Sequence, residues 1–182
     1  MSDFYLKTLK SKFDSLFEKN PYTWVYGAAR TLLAVSTLIN LVFNDVNVLF
    51  DEDLYHQVKT FTFFDDFNLF KLFGYEYLNV SKWFGIVVLW FAASGYYPRF
   101  TAIPQWWVSA SFFYTANIVE GGDQINAILC LLLIPVSLLD NRKSYWMEAG
   151  IVSSEKKFAG NLIWVLIAIQ MSLLYLNAAT DK

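Results

Sequence analysis

The sequence is short of the residues from which many enzyme centres are built. Its 182 residues include one cysteine, Cys130, and one histidine, His56. A single cysteine excludes an internal disulfide bond and a cysteine-based zinc site. A serine–histidine–aspartate triad or a histidine-rich metal centre would have to rest on His56, which lies in a predicted loop. On these grounds we expect no bound metal.

Charged residues are also scarce. They make up 16% of the chain, whereas about 25% is usual in soluble proteins. The net charge is −2, and lysine and arginine form no block along the chain. The sequence therefore gives no sign of a nucleic-acid partner. It also lacks a glycine-rich phosphate loop, so nucleotide binding has no support.

Hydrophobic residues, in contrast, are abundant. They make up 56% of the chain, aromatic residues make up 19%, and the mean hydropathy is +0.36. A membrane span needs about 20 mainly apolar residues to cross a hydrocarbon core of roughly 30 Å. We predict an all-α transmembrane bundle in one domain, residues 24–182, with spans at 24–43, 83–97, 105–119, 125–139 and 158–180. Pro98 and Pro104 are predicted to bracket a tight turn between the second and third spans.

Lysine and arginine are concentrated on one side of the predicted membrane. Nine of the fourteen basic residues lie on the side of the N-terminus, four lie on the other side, and Arg30 lies within the first span. The nine are Lys7, Lys10, Lys12, Lys19, Arg99, Arg142, Lys143, Lys156 and Lys157, and the four are Lys59, Lys71, Lys82 and Lys182. Because cytoplasmic loops carry the excess of positive charge, we predict a cytoplasmic N-terminus and an external C-terminus.

Two segments outside the spans are amphipathic. In residues 1–23, leucine and phenylalanine recur at helical spacing with lysines between them, which predicts a cytoplasmic helix on the lipid surface. The outer loop, residues 44–82, is acidic and contains phenylalanines that share one helical face. These are Phe63, Phe64, Phe67 and Phe70. We predict a second helix at the outer membrane interface there.

Two carboxylates and two glycines lie between apolar runs after the third span. Gly121 and Gly122 are predicted to form a tight turn, because glycine readily adopts a positive φ. Glu120 and Asp123 then face water and headgroups, or Asp123 begins the fourth span and points into the bundle. The second alternative is favoured by other polar residues on the helical face of Asp123. These are Asn126, Cys130 and Ser137.

Arg30 interrupts the first span about two turns from its predicted inner end. It shares a helical face with Gly27, Thr37, Asn40 and Asn44. An arginine at this depth either extends its side chain to the membrane surface or pairs with a carboxylate. For the second alternative, Asp140 at the end of the fourth span is the nearest candidate by depth.

The fifth span carries a third set of polar residues. Gln170 and Asn177 share one face, with Tyr175 and Lys182 on a neighbouring one. Lys182 is either an interfacial anchor or a buried base. In the second case we expect it to lie at the depth of Asp123, so that the polar faces of three helices line one cavity and the two charges pair.

Three stretches resemble a known family. "YGAARTLLAVSTLINLVFN" at 26–44, "EGGDQINAILCLLLIPVSLLDNRKSYW" at 120–146 and "QMSLLYLNAATDK" at 170–182 resemble the HTTM membrane domain and, more closely, its SdpB branch. That branch is the membrane component of sporulation-delaying-type antimicrobial peptide systems. The resemblance implies a bacterial inner-membrane protein that helps to mature or export a secreted toxin peptide, with a peptide precursor and a short protein as partners.

The same domain is similar to the membrane domain of the vitamin K-dependent γ-glutamyl carboxylases. "YLNAATDK" at 175–182 resembles the segment that ends in their proposed catalytic base, which implies that role for Lys182 and vitamin K or another quinone as a ligand. Three functions therefore stay open. They are a component of peptide maturation or export, an intramembrane enzyme that modifies a peptide or a quinone-type lipid, and a scaffold subunit without a ligand.

Overall fold

The computed structural model describes residues 17–57, 62–117 and 119–180. The helices in this part are α1 (Trp24–Phe43), α2 (Val46–Leu49), α3 (Glu52–Gln57), α4 (Thr62–Asp65), α5 (Leu78–Ala93), α6 (Pro98–Thr115), α7 (Gly121–Leu139) and α8 (Ser154–Thr180). A short 3-10 turn, Tyr75–Tyr77, precedes α5. The described residues form no β-strand beyond one isolated bridge between Tyr96 and Ser144. The all-α prediction is confirmed.

Four long helices form an antiparallel bundle, in which α1 packs against α5, α6 and α7, and α6 packs against both α5 and α7. Helix α8 lies outside this group and packs against α7. One end of the bundle, called here the Trp24 end, holds the start of α1 and the end of α7. The other, called the Phe43 end, holds the end of α1 and the start of α7.

Three of the long helices, α1, α7 and α8, are long and apolar enough to cross a membrane. Helix α5 has 16 residues and α6 has 18, which at 1.5 Å per residue gives about 24 Å and 27 Å, less than the roughly 30 Å hydrocarbon core. A membrane protein is thus supported, whereas the number of five spans stays a prediction. In the described part of α8, Gly160 is the one buried residue. Ile163, Trp164 and Ile167 are partly buried against α7 and the loop that follows it, and much of the other apolar surface of the helix is exposed.

The bounds of the first helix agree with the predicted span, but the reversal after the second does not lie between the two prolines. Pro98 is the first residue of α6, where its missing N–H costs nothing, and Pro104 lies inside that helix. The chain instead reverses just before α6, where Gly95 has a φ of +84° and Tyr97 a φ of +48°. The predicted turn at 98–104 was therefore wrong.

The predicted interfacial helix in the outer loop is also wrong for the described residues. Helix α4 ends at Asp65, and Phe70 is fully buried in the core, whereas Phe67 is exposed. The cause is hydrogen bonding to α6. Asn68 donates to Thr115 Oγ1 at 2.8 Å, and the backbone N–H of Leu69 donates to Ser111 Oγ at 3.1 Å. These bonds turn the chain inward before the helix can continue.

The predicted amphipathic helix of residues 1–23 lies mainly outside the described residues. Its described end packs against α8, where the rings of Phe17 and Phe158 lie 4.8 Å apart. Asn161 of α8 also donates to the carbonyl oxygens of Phe17 and Lys19.

Two apolar clusters stabilise the bundle. The larger lies towards the Phe43 end, around Leu41, Phe50 and Phe70, and the smaller lies at the Trp24 end, around Tyr26 and Tyr145. Between helices in a bilayer, such clusters contribute through van der Waals packing, because lipid tails are as apolar as these side chains. Between the two clusters, α1, α6 and α7 bring polar side chains together.

Candidate functional site

A line of polar side chains, called here the polar seam, runs through the bundle from the Trp24 end to the Phe43 end. All but Asn40 are buried. The seam consists of Tyr26, Arg30, Thr37 and Asn40 from α1, Thr101, Gln105 and Ser109 from α6, and Asp123, Asn126, Cys130 and Ser137 from α7. Within each helix these residues recur at three, four or seven positions, which places them on one face.

Arg30 is the charged centre of the seam and is 1% exposed. Its guanidinium donates to the Pro98 carbonyl at 3.1 Å, Thr101 Oγ1 at 3.2 Å and Gln105 Oε1 at 2.8 Å. It also lies over the ring of Tyr145, 5.6 Å from the centroid. Within the described residues no carboxylate forms an ion pair with it. A buried cation held by neutral acceptors is costly unless every donor is well placed, so the rest of the seam must fix these acceptors.

Gln105 and Asn126 connect Arg30 to the middle of the seam. Gln105 also donates to the backbone oxygen of Arg30 at 3.0 Å, which locks the amide between the two groups. Asn126 donates to Thr37 Oγ1 at 2.8 Å and accepts from the Cys130 thiol at 3.4 Å. Helices α1, α6 and α7 thus supply hydrogen-bond partners to one another, as buried polar groups require.

At the Phe43 end the seam opens into a polar pocket of about 270 Å³, lined by Ser36, Asn40, Glu120, Gly122 and Asp123. Asp123 is 8% exposed and accepts from Asn40 Nδ2 at 3.4 Å. The structure therefore places this carboxylate inside the bundle.

The two glycines before Asp123 do not form the predicted turn. Gly121 and Gly122 are the first residues of α7, and neither has a positive φ. Glu120 and Asp123 form a capping box, in which each side chain accepts from the backbone N–H of the other residue. Because of this cap, the helix begins at the two glycines, and both adopt a helical conformation that other residues could also adopt.

At the Trp24 end, Asp140 pairs with Arg142 instead of Arg30. The two residues form a bidentate ion pair, with Nε–Oδ1 at 2.9 Å and Nη2–Oδ2 at 2.8 Å. Arg142 also donates to the carbonyl of Met147 at 2.6 Å and lies over the ring of Tyr22 at 5.5 Å. The alternative in which Arg30 pairs with Asp140 is therefore wrong. Arg142 lies two residues away in the same loop and can reach the carboxylate without crossing the bundle.

The loop that follows Asp140 is joined to the turn before α6. Tyr145 donates through its backbone N–H to the carbonyl of Gly95 at 3.1 Å and through its hydroxyl to Ala92 at 3.0 Å. Burial raises the pKa of its phenol, so the hydroxyl stays protonated and available as a donor. The loop after α7 is thus bonded across the Trp24 end of the seam.

The polar residues of α8 do not join the seam. Gln170 is half-buried against the bundle, and Tyr175 and Asn177 are exposed. Lys182, the candidate base, lies outside the described residues, so its pairing with Asp123 stays a prediction. Within the described residues, the cavity that three helices were expected to line is instead a filled seam of α1, α6 and α7 with one open end.

Sequence reasoning missed several residues of the site. The predicted third span begins at Gln105 and gives this residue no role, although an amide in an apolar helix is itself a signal of an inward face. Lys82 enters the sequence-based prediction only as a positive charge of the outer loop, yet it is buried and donates to the Asn44 carbonyl at 2.7 Å. Asn44 in turn donates to Asn40 O, so Lys82 is linked to the open end of the seam.

A quinone-type ligand stays a prediction, because its candidate base, Lys182, lies outside the described residues. An apolar groove of about 250 Å³ lies between α6 and α7, with Phe64, Trp106, Tyr114 and Gln124 among its walls. No carboxylate or lysine lines it among the residues that the structure describes. Nor do three histidine, cysteine or acidic side chains of the described residues converge as metal ligands would. This groove therefore offers no base to a quinone from the part of the chain that the structure describes.

Two proteins of Bacillus subtilis (strain 168) are similar to the chain over nearly all of its length. Uncharacterized protein YitO is 30% identical over 185 residues, which cover 97% of this chain and 58% of YitO. Sporulation-delaying protein SdpB is 30% identical over 187 residues, which cover 97% of this chain and 55% of SdpB. The chain thus spans a little more than half the length of each.

Two other comparisons found nothing. No family model matches the chain, so its resemblance to the HTTM domain stays a prediction. No solved structure matches it either. The likeness that was found is therefore to YitO and to Sporulation-delaying protein SdpB, over nearly the whole of this chain.

Proposed function

We propose that this protein is an integral membrane component of a sporulation-delaying-type toxin system and acts in the maturation or export of a secreted peptide. Its partners in this proposal are the peptide precursor, a short second protein and the membrane lipid. The similarity to Sporulation-delaying protein SdpB over 97% of the chain is the observation that carries the proposal.

The polar seam favours a functional site in this protein over a scaffold role without a ligand. Apolar packing alone would hold four membrane helices together, whereas each buried polar group must find a partner or cost several kcal/mol. This chain nevertheless buries Arg30 and Asp123 in the bundle. In the proposal, the open pocket at the Phe43 end is where the peptide meets the seam, and Asp123 and Glu120 face it there.

The proposal can be tested in a B. subtilis strain that lacks SdpB. Because the chain matches only 55% of SdpB, a chimera would join it to the part of that protein that it does not match. Culture supernatants are then scored for killing of a toxin-sensitive lawn, and immunoblots measure the chimera in the membrane. We expect the chimera to restore killing. Wild-type membrane levels without killing would contradict the proposal.

A matched pair of variants tests the pocket. Asp123→Asn removes the charge at the open end of the seam, and we expect it to reduce killing at least tenfold at an unchanged membrane level. The control is Asp66→Asn, because Asp66 is exposed in the loop near the same end of the bundle. Equal killing by the two variants would exclude a role for the pocket.

The orientation is part of the proposal, with the Trp24 end in the cytoplasm of a bacterial inner membrane. Single cysteines would replace the exposed residues Asn79, Ser154 and Thr180 in a Cys130→Ser background. On intact cells, a membrane-impermeant thiol reagent should label positions 79 and 180 and leave 154 unlabelled. Labelling at 154 would reverse the orientation or change the number of spans.

A further inference from the structure

A second polar cavity lies at the Trp24 end, apart from the pocket at Asp123. It has a volume of about 220 Å³ and lies between the end of α7, the loop that follows it and the start of α8. One water occupies roughly 30 Å³ in the liquid, so the cavity has room for a group several times larger. Its polar walls include Tyr22, Asp140, Arg142 and Lys156.

Tyr22 has a buried hydroxyl without a hydrogen-bond partner among the described residues. The side chain is 5% exposed, and its ring is fixed by the edge of Tyr26 and by the guanidinium of Arg142. Burial, followed by the charge of Asp140, raises the pKa of this phenol to about 12. The group is therefore a donor at any ordinary pH. A buried donor left unbonded is rare in folded proteins and calls for an acceptor.

The charge of the cavity wall is positive. Asp140 is neutralised by its bidentate pair with Arg142. Lys156 donates to the carbonyl of Leu139 at 3.1 Å, which uses one of its three protons. No other acidic residue lines the cavity among the described residues. The Lys156 ammonium has no carboxylate partner among the described residues, and together with the phenol donor it fits an anionic acceptor.

We propose that this cavity binds the phosphate of an anionic phospholipid headgroup, with the Tyr22 hydroxyl and the Lys156 ammonium as donors. A lipid is favoured over a soluble phosphate by the surroundings of the cavity. Ile151 forms part of its wall and is fully exposed, and Trp24, Met147 and Phe158 are more than half exposed at the same end. Acyl chains would cover these apolar surfaces. Basic pockets beside membrane helices recognise anionic headgroups in this way.

The proposal is independent of the toxin-system function and is tested by binding. The full-length protein in mild detergent is titrated with dioctanoyl phosphatidylglycerol, dioctanoyl phosphatidylcholine and inorganic phosphate. Thermal stabilisation measures affinity, and native mass spectrometry counts the bound lipids. We expect saturable binding of phosphatidylglycerol, at least tenfold weaker binding of phosphatidylcholine, and no effect of phosphate at the same concentrations.

Two variants identify the donors. Tyr22→Phe removes only the unbonded hydroxyl, and Lys156→Met removes the charge. Each should weaken phosphatidylglycerol binding roughly tenfold, because each removes one hydrogen bond to a charged group. The controls are Tyr96→Phe, at an exposed tyrosine, and Lys157→Met, at the neighbouring lysine outside the cavity wall. Both should bind phosphatidylglycerol as the wild type does.

The lipid-free proteins separate binding from a structural role. Because the Tyr22 hydroxyl has no partner among the described residues, Tyr22→Phe should melt at the wild-type temperature without lipid and lose only the stabilisation by lipid. Unchanged phosphatidylglycerol binding in this variant would overturn the proposal, as would equal binding of both lipids. Stabilisation by inorganic phosphate alone, at the concentrations at which lipid acts, would overturn the assignment to a lipid.

Discussion

Replacing Gln105 by leucine should destabilise the bundle far more than the same change at an exposed glutamine. Gln105 Oε1 accepts from the Arg30 guanidinium at 2.8 Å, and its Nε2 donates to the Arg30 carbonyl at 3.0 Å. A hydrogen bond to a charged group contributes about 1.5–3 kcal/mol, and a buried group left unbonded costs about 1–3 kcal/mol. Since Arg30 is 1% exposed and water cannot replace the lost acceptor, we expect Gln105→Leu to cost about 3 kcal/mol.

A double-mutant cycle with Arg30→Met isolates the interaction. Arg30→Met alone leaves Gln105 Oε1 without its donor, whereas Nε2 keeps the backbone oxygen of residue 30. The same change removes a buried charge, so the two effects partly cancel. Gln105→Leu in the Arg30→Met background then removes an amide that no longer binds a cation. We expect the double variant to be at least 1.5 kcal/mol more stable than the sum of the single changes predicts.

The assay is unfolding in mixed micelles by titration with a denaturing detergent, followed by far-ultraviolet circular dichroism. The matched control is Gln124→Leu, because Gln124 is an exposed residue of α7 that faces the apolar groove. We expect this change to lie within about 0.5 kcal/mol of the wild type. If Gln105→Leu costs no more than the control, or if the coupling is below about 0.5 kcal/mol, Arg30 does not depend on this amide.

Three further substitutions test the local structure in the same unfolding assay. Gly95→Ala should cost roughly 2–4 kcal/mol, because φ is +84° there and a Cβ would lie 2.5 Å from the Trp146 indole nitrogen; a neutral result would mean that this turn is loosely packed. Gly122→Ala should stabilise α7 by about 0.5 kcal/mol, since nothing lies within 4 Å of an added Cβ; a large loss would restore the predicted glycine turn. Asp140→Asn should cost about 3–5 kcal/mol by leaving Arg142, whose side chain is 11% exposed, without its counter-ion; wild-type stability would show that the carbonyl acceptors of Arg142 suffice.

Local features of the sequence determined the class of the fold. Runs of about 20 apolar residues form membrane helices wherever they occur, because lipid offers the backbone no other hydrogen-bond partner. The first helix therefore has the predicted bounds, Trp24–Phe43. Helical periodicity also placed Arg30 and Asn126 on inward faces, since a polar group in an apolar span must be turned away from lipid. Whether these residues serve the proposed function stays a prediction.

The tertiary structure alone decided which groups meet. The acceptors of Arg30 lie on α6, about 70 residues away in sequence, and no spacing rule within one helix predicts which neighbour a face will contact. Phe70 lies in the core and not on a surface helix, because Ser111 of α6 accepts a hydrogen bond from the backbone N–H of the neighbouring residue, Leu69. Asp140 pairs with Arg142 in the same loop. Bringing together two residues that are close in sequence costs less conformational entropy than bringing together residues far apart in the chain. Helical periodicity determines from the sequence which residues share one face of a helix. Which faces pack against each other depends on the packing of the whole bundle.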